Sequence, residues 1–153
     1  MTQSQVVDRL LIAETVTTMG WSIDRADWAA LAGVLAPEIA LDYSSLYGGQ
    51  PHRVTRDELI GRMTRFVAAL DMVQHLVLGV LADVHGDEAT ASANVVAVHR
   101  KATHLGSPLW TVAGTYDFGL ARAGEGWQID VLKLTVLWAD GNQHLHPAPP
   151  ATS

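Results

Sequence analysis

A change of period is what most restricts the fold of this chain. Up to about residue 70 apolar side chains recur at helical spacing, whereas from Met72 onward they alternate or run on in four long stretches separated by turns. The stretches span 72 to 84, 89 to 101, 108 to 122 and 127 to 138. Between them lie His85-Gly86-Asp87-Glu88, a loop around Leu105-Gly106-Ser107-Pro108, and Ala123-Gly124-Glu125-Gly126, all rich in turn residues. Strands this long joined by turns this short pair antiparallel in chain order. Helices gathered in front of a strongly bent antiparallel sheet predict an α+β roll.

Local signals place the front half. Val6, Val7, Leu10, Leu11, Ala13, Val16 and Met19 keep a helical stripe, so a first helix is expected from a Ser4 cap to about Trp21. Asp27 is placed to cap a short second helix that Pro37 ends. Asp24 then falls in the elbow between the two. Ile39, Leu41 and Tyr43 alternate as a short strand, and Gly48-Gly49-Gln50-Pro51 reads as a loop. Thr55 and Glu58 form a capping box for a third helix, with Leu59, Ile60, Met63, Phe66, Val67 and Leu70 on its apolar face. Residues 1–145 are expected to form a single domain, and the proline-bearing residues 146–153 a flexible tail.

Composition narrows the partners. The net charge is −6, no Lys/Arg run exists, and so nucleic acid and anionic membranes are not expected partners. With no cysteine, disulfides, thiolate catalysis and cysteine-bound metals are excluded. The first residues lack a basic-then-apolar layout and no apolar run approaches spanning length, so a cytoplasmic protein is expected. His144-Leu145-His146 offers two imidazoles, too few for a metal site, and neither metal nor cofactor is expected.

Two histidines stand inside apolar strands: His75 in Val73-Gln74-His75-Leu76 and His99 in Val95-Val96-Ala97-Val98-His99. A buried imidazole has to find a partner, and Asp24 is a candidate to share a carboxylate/imidazole acid-base site with them. This depends on register. A two-residue Gly86-Asp87 turn pairs His85 with Glu88 and sends the two histidines to opposite faces; an added bulge or a three-residue loop brings them together. Ala89, Ala91, Ala93, Val95, Ala97 and His99 share one strand face, a row of small side chains suited to walling a pocket. Trp21, Trp110, Tyr116 and Trp138 are candidates to stack on an aromatic ligand. Asp42 lies on the opposite strand face from Tyr43.

The segments Ser22-Ile23-Asp24-Arg25-Ala26-Asp27-Trp28, Leu41-Asp42-Tyr43-Ser44-Ser45-Leu46, Val73-Gln74-His75-Leu76, Ala97-Val98-His99-Arg100 and Gly126-Trp127-Gln128-Ile129 resemble the SnoaL-like branch of the NTF2-like superfamily. Within it the nearest enzyme pattern is that of scytalone dehydratase. The resemblance covers about residues 4 to 145 and implies a cone-shaped α+β barrel of the NTF2-like kind, three N-terminal helices closing a strongly curved antiparallel sheet around a deep apolar pocket. It also implies an aspartate-histidine pair of Asp24 and His99, a second histidine at His75, and Tyr43 as one of two water-holding tyrosines. Ile23 stands where the second tyrosine belongs, and Gly114 and Tyr116 replace a serine and an asparagine that contact substrate. The acid-base groups are thus kept while the groups that read the substrate differ.

A cofactor-independent dehydratase or dehydratase/cyclase is therefore expected, acting on a small hydrophobic hydroxy-carbonyl compound, polyketide-like or aromatic. His75 would be the base, Asp24 with His99 the acid, and Tyr43 the donor to the carbonyl. Met19, Leu46, Met63, Phe66, Trp110, Tyr116, Leu134, Val136 and Trp138 would line the pocket. The alternatives are a non-catalytic module that binds a hydrophobic ligand, or an isomerase, cyclase or epoxide hydrolase on the same barrel. The resemblance also implies a homo-oligomer, a dimer or a trimer.

Overall fold

The structure, a computed structural model, describes residues 1–145. Its elements are α1 (Gln3–Asp24), α2 (Trp28–Val34), β1 (Leu35–Asp42), α3 (Ser44–Tyr47), β2 (His52–Thr55), α4 (Arg56–Ala68), β3 (Met72–His85), β4 (Glu88–Arg100), β5 (Leu109–Ala123), β6 (Gly126–Gly141) and a 3-10 turn at Gln143–Leu145. The four long strands end within about three residues of where the turn residues put them. Among the described residues no helix is long and apolar enough to cross a membrane. The expected tail, 146–153, lies outside the described residues.

The caps explain where the helices differ from expectation. α1 starts at Gln3 because Thr2, not Ser4, is its cap: the Thr2 hydroxyl accepts the Gln5 N–H at 3.2 Å and the Gln5 side chain accepts the Thr2 N–H at 2.9 Å. It runs on past Trp21 to Asp24 because Ile23 extends the buried stripe Ile12, Val16 and Met19 by one turn. The stop is a Schellman turn. Ala26 takes φ 54°, its N–H donates to Ile23 O at 3.1 Å, and Asp27 N–H donates to Ser22 O at 2.8 Å. Asp27 then caps α2 through the Ala30 N–H at 3.0 Å. α4 opens with the Thr55/Glu58 box as expected.

The sheet order is β2-β1-β6-β5-β4-β3. β3 through β6 pair antiparallel in chain order, but β1 runs parallel to β6, so the sheet is not antiparallel throughout. Pro37 sits where the β1–β6 ladder slips between Leu35 and Ala40, a place that does not require its missing N–H.

Both outcomes of the register condition occur in one hairpin. The tight turn is present, with His85 opposite Glu88 and Gly86 at φ 66°. At that end Val84 and Ala82 face Ala89 and Ala91. Between Leu78 and Leu81 the ladder then slips by one residue at Gly79, φ 66°, and beyond the slip His75 lies opposite Ala97 and Val73 opposite His99. The extra residue reverses parity, so β3 turns even residues inward near the turn and odd residues inward beyond it. A second slip, in β6 between the partners of Ala113 and Gly114, leaves Leu134 and Val136 inward and turns Trp138 out.

The core lies between the helices and the inner sheet face. Ile12, Val16, Leu31, Leu35, Ile39, Ile129 and Leu132 have no exposed surface, and each such side chain contributes about 1.5–3 kcal/mol of transfer free energy. Ala89, Ala91 and Ala93 are buried in this same core. A polar clasp secures the start of α1. The buried Asp8 carboxylate accepts from Arg122 Nη1 at 2.9 Å, Arg122 Nη2 at 3.2 Å and Trp127 Nε1 at 3.1 Å. Arg122 also donates from Nε to Asp87 at 2.9 Å and stacks on Trp127 at 4.4 Å. The hydrogen bond from Arg122 is the main reason Asp8 titrates below its ordinary value of 3.8.

Two outcomes are expected. Because the folded-state pKa of Asp8 is depressed, its contribution is present above pH 3.8 and is lost as pH falls through the lower folded value. Asp8→Asn should therefore melt lower than wild type near neutrality, with the gap narrowing below that pH in a thermal titration. At Gly114 a Cβ would stand 1.9 Å from the Thr135 carbonyl oxygen, so Gly114→Ala should lose at least about 2 kcal/mol in chemical denaturation by overpacking.

Candidate functional site

Asp24, the last residue of α1, meets β3 at the sheet edge. Its Oδ2 accepts the His75 backbone N–H at 2.8 Å, and its Oδ1 accepts from His75 Nδ1 at 2.6 Å. One carboxylate thus satisfies an edge-strand N–H and fixes the ring beside it. Gly20, one turn earlier, allows the approach: a Cβ there would already lie 3.4 Å from Val77 Cγ2 and 3.7 Å from His75 Cβ. The pair is largely enclosed, with His75 9% and Asp24 18% exposed at the side chain. The expected Asp24–His99 pair is therefore corrected to Asp24–His75. Nor is Asp24 an interhelical cap, since Asp27 has that role.

His99 is buried and anchored differently. Its Nδ1–H donates to the Trp110 carbonyl oxygen at 3.0 Å across the β4–β5 ladder. This sets the tautomer in which Nε2 is the acceptor. Phe66 from α4 meets the ring edge-on at 5.5 Å and Trp110 lies against it at 5.1 Å. His75 and His99 share the inner face with ring centroids 6.3 Å apart, nearly perpendicular. One histidine is held by a charge and the other by a neutral carbonyl.

Tyr43 precedes α3, which is tied to β6 by the Ser45 hydroxyl accepting the Val136 N–H at 2.8 Å. The Tyr43 hydroxyl lies 3.4 Å from that of Tyr116 on β5. Burial holds the Tyr43 phenol well above its ordinary range, and the neighbouring Tyr116 adds to this. Tyr116 is raised chiefly by burial, opposed by its hydrogen bond with Tyr43 and reinforced by the negative charge of Asp24. Tyr47 stacks on Tyr43 at 6.4 Å. It was missed in the sequence, although an i,i+4 pair of tyrosines shares a helical face. Asp42 accepts from the Ser44 hydroxyl at 2.6 Å, which lowers its pKa and makes it a turn residue.

The expected lining residues divide. Phe66 and Trp110 flank His99, and Tyr116 meets Tyr43. Met19 and Leu134 are buried in the main core; Leu46, Met63 and Val136 pack half-buried against it. Trp138 is 54% exposed and is removed from the lining set, because the slip in β6 turns it outward. A cleft of about 510 Å³ lies between α1 and β3, walled by Gly20, Trp21, Asp24, Val73, His75 and their neighbours; none of the nine expected lining residues borders it. Trp21 is itself exposed, with the Arg25 guanidinium 3.9 Å above its ring. Of the two terminal imidazoles, His144 is exposed and His146 lies outside the described residues.

Residues 4–133 match the SnoaL-like domain family. Among solved structures, a protein of Kribbella flavida known as Kfla4162 superposes with a TM-score of 0.87 at 26% identity, covering 92% of this chain and 97% of its own. A proposed scytalone dehydratase from Novosphingobium aromaticivorans gives 0.78 at 16% identity, covering 100% and 99%. The type 3 hexachlorocyclohexane dehydrochlorinase LinA of Novosphingobium barchaimii gives 0.73 at 12% identity, covering 96% and 98%. The last two show a shared fold. No curated protein matches this chain.

The geometry assigns a hydrogen-bonded proton to His75 Nδ1. Proton NMR should show a far-downfield ring N–H resonance that disappears in both Asp24→Asn and His75→Gln. Asp24→Asn should also cost about 1–3 kcal/mol in denaturation, since two donors lose a charged acceptor.

Proposed function

The chain belongs to the SnoaL-like domain family of the NTF2-like superfamily, and we propose on that footing that it is a cofactor-independent lyase, a dehydratase or dehydratase/cyclase working by general acid-base catalysis. The observation that carries this reading is the 2.6 Å contact between Asp24 and His75 Nδ1 on the face that also bears His99. With Nδ1–H committed to the carboxylate, Nε2 of His75 is the nitrogen that takes a proton. Asp24 balances the charge the ring then acquires.

The substrate is a small hydrophobic hydroxy-carbonyl compound, polyketide-like or aromatic. His75 removes the proton beside the carbonyl, and Tyr43 donates to the carbonyl oxygen as negative charge builds there. His99, as the Nε2 acceptor tautomer, holds the substrate hydroxyl. The proton gathered by His75 goes to the departing oxygen, so a C–H and a C–O bond break, a C=C bond forms and water leaves. In this reading the acid and base are two states of one dyad, and His99 positions the leaving group within a cage of Phe66 and Trp110. Dehydratases and dehydrochlorinases among the structural neighbours support an elimination on this fold.

The test uses the aldol adduct of benzaldehyde and acetone, whose dehydration to benzalacetone is followed by ultraviolet absorption, with a panel of related β-hydroxy aryl ketones. His75→Ala and Asp24→Asn should each lower turnover about a hundredfold or more, and His99→Ala should also lower it, with melting temperature and binding of the product enone largely kept. Unchanged conversion in all three variants would overturn the assignment.

A further inference from the structure

The groups that face the substrate in this reading are shut in. His99 and Tyr116 are each 4% exposed, and the His75 side chain 9%. Two clefts run along α1; one borders Asp24 and His75, and neither is lined by His99, Tyr43 or Tyr116. A ligand that meets both histidines therefore has to pass a part of the wall that opens. Most of that wall is tied along its length. β3 to β6 are paired strand to strand, α1 is pinned at Asp8 and at Asp24, and α4 starts at a capping box and carries the buried Leu59.

α3 is held differently. β1 ends at Asp42, opposite Lys133, so beyond Lys133 β6 has no strand on that side among the described residues. The chain turns there into the four residues of α3, whose Ser45 hydroxyl accepts the Val136 N–H at 2.8 Å. This bond is exposed, and a single exposed hydrogen bond is exchanged for water at small net cost. Leu46 is half-buried. It packs against the main core on one side and against the Trp110, Val112 and Leu145 cluster beside His99 on the other. Asp42 fixes the entry to α3 by accepting the Ser44 N–H at 3.1 Å and the Ser44 hydroxyl at 2.6 Å. The exit is loose: Gly48 and Gly49 have φ 74° and 82°, and a Cβ at either would meet nothing within 4 Å.

We propose that α3 is the gate of the site: it pivots on the Asp42 turn, gives at Gly48 and Gly49, and is latched shut by Ser45 on the Val136 N–H. Its swing away from β6 draws Leu46 out from between the two clusters and opens the way to His99. The inference rests on the reading that the ligand lies against both histidines, and it adds how the ligand arrives. Opening costs one exposed hydrogen bond and the half-buried contacts of Leu46, whereas parting two long strands breaks a whole ladder.

Amide hydrogen exchange followed by NMR tests the movement with no ligand present. In wild-type protein the Val136 N–H should exchange through a local opening, at least about a hundredfold faster than the amides of the β4–β5 ladder. Exchange as slow as those ladder amides would overturn the gate. Passage is read from stopped-flow binding of benzalacetone. Ser45→Ala should raise the association and dissociation rates together, roughly twofold to tenfold, with Kd little changed, because the latch is present in both the free and the bound closed state. Ser45→Thr keeps a hydroxyl and should return both rates to wild type. A rise in dissociation alone would overturn the gate by making Ser45 a support of the bound state. Unchanged rates in Ser45→Ala, or wild-type protein that takes up no benzalacetone, would overturn α3 as the route even where Val136 opens locally. Neither measurement uses turnover, so the roles of His75 and Asp24 are decided separately by the dehydration assay.

Discussion

The site depends on one extra residue in β3. Side chains on a strand alternate faces, so the hairpin's two-residue turn alone would set His75 and His99 on opposite sides of the sheet. The slip at Gly79 inserts the residue that reverses parity beyond it. Near the turn β3 gives Val84 and Ala82 to the core opposite the alanines of β4; beyond the slip it gives Val77, His75 and Val73. The same strand therefore serves packing at one end and a pair of imidazoles at the other. A left-handed φ at the slip explains why glycine occupies it.

Once His75 faces inward at the sheet edge, its backbone N–H also needs a partner, because β3 has a neighbour on one side only. Asp24 meets both needs with its two oxygens. The length of α1 matters for this reason: the helix continues one turn past Trp21, driven by Ile23 joining the core, and this places a carboxylate at the edge strand. The Schellman turn through Ala26 then lets Asp27 take over the cap of α2, so the two neighbouring aspartates have separate tasks. With Asp24 committed to His75, the two histidines differ in kind. One ring is coupled to a negative charge, and the other is held by a backbone carbonyl between two aromatic rings. An environment that divides like groups in this way is how acid-base roles become distinct at a single pH.

Much of this was readable in the chain. The four strands and their turns follow from alternation and from Gly-rich punctuation, and the Thr55/Glu58 box starts α4 where its side chains require. His75 and His99 stand out because polar groups within apolar runs must be satisfied somewhere, and Asp24 because it falls in the elbow after α1; Tyr43 follows from the family resemblance. Other features had no local signal. The slip at Gly79 hides in a run of uniformly apolar residues, where neither parity costs burial in the sequence pattern. The turning out of Trp138 has the same origin in β6. The Asp8–Arg122–Trp127 clasp joins residues more than a hundred positions apart, and no periodicity encodes that.

The sequence by itself determined the element order, the α+β class and the set of polar groups with a claim to a site, because propensity, capping and turn chemistry act over a few neighbouring residues. Only the tertiary structure decided which histidine the carboxylate takes and that two tyrosines from separate elements share a hydrogen bond. Those outcomes depend on sheet register, on where α1 ends against β3 and on how α3 is tied to β6. Each is settled by packing among elements distant in the chain, where a shift of one residue exchanges the inside of the sheet for the outside.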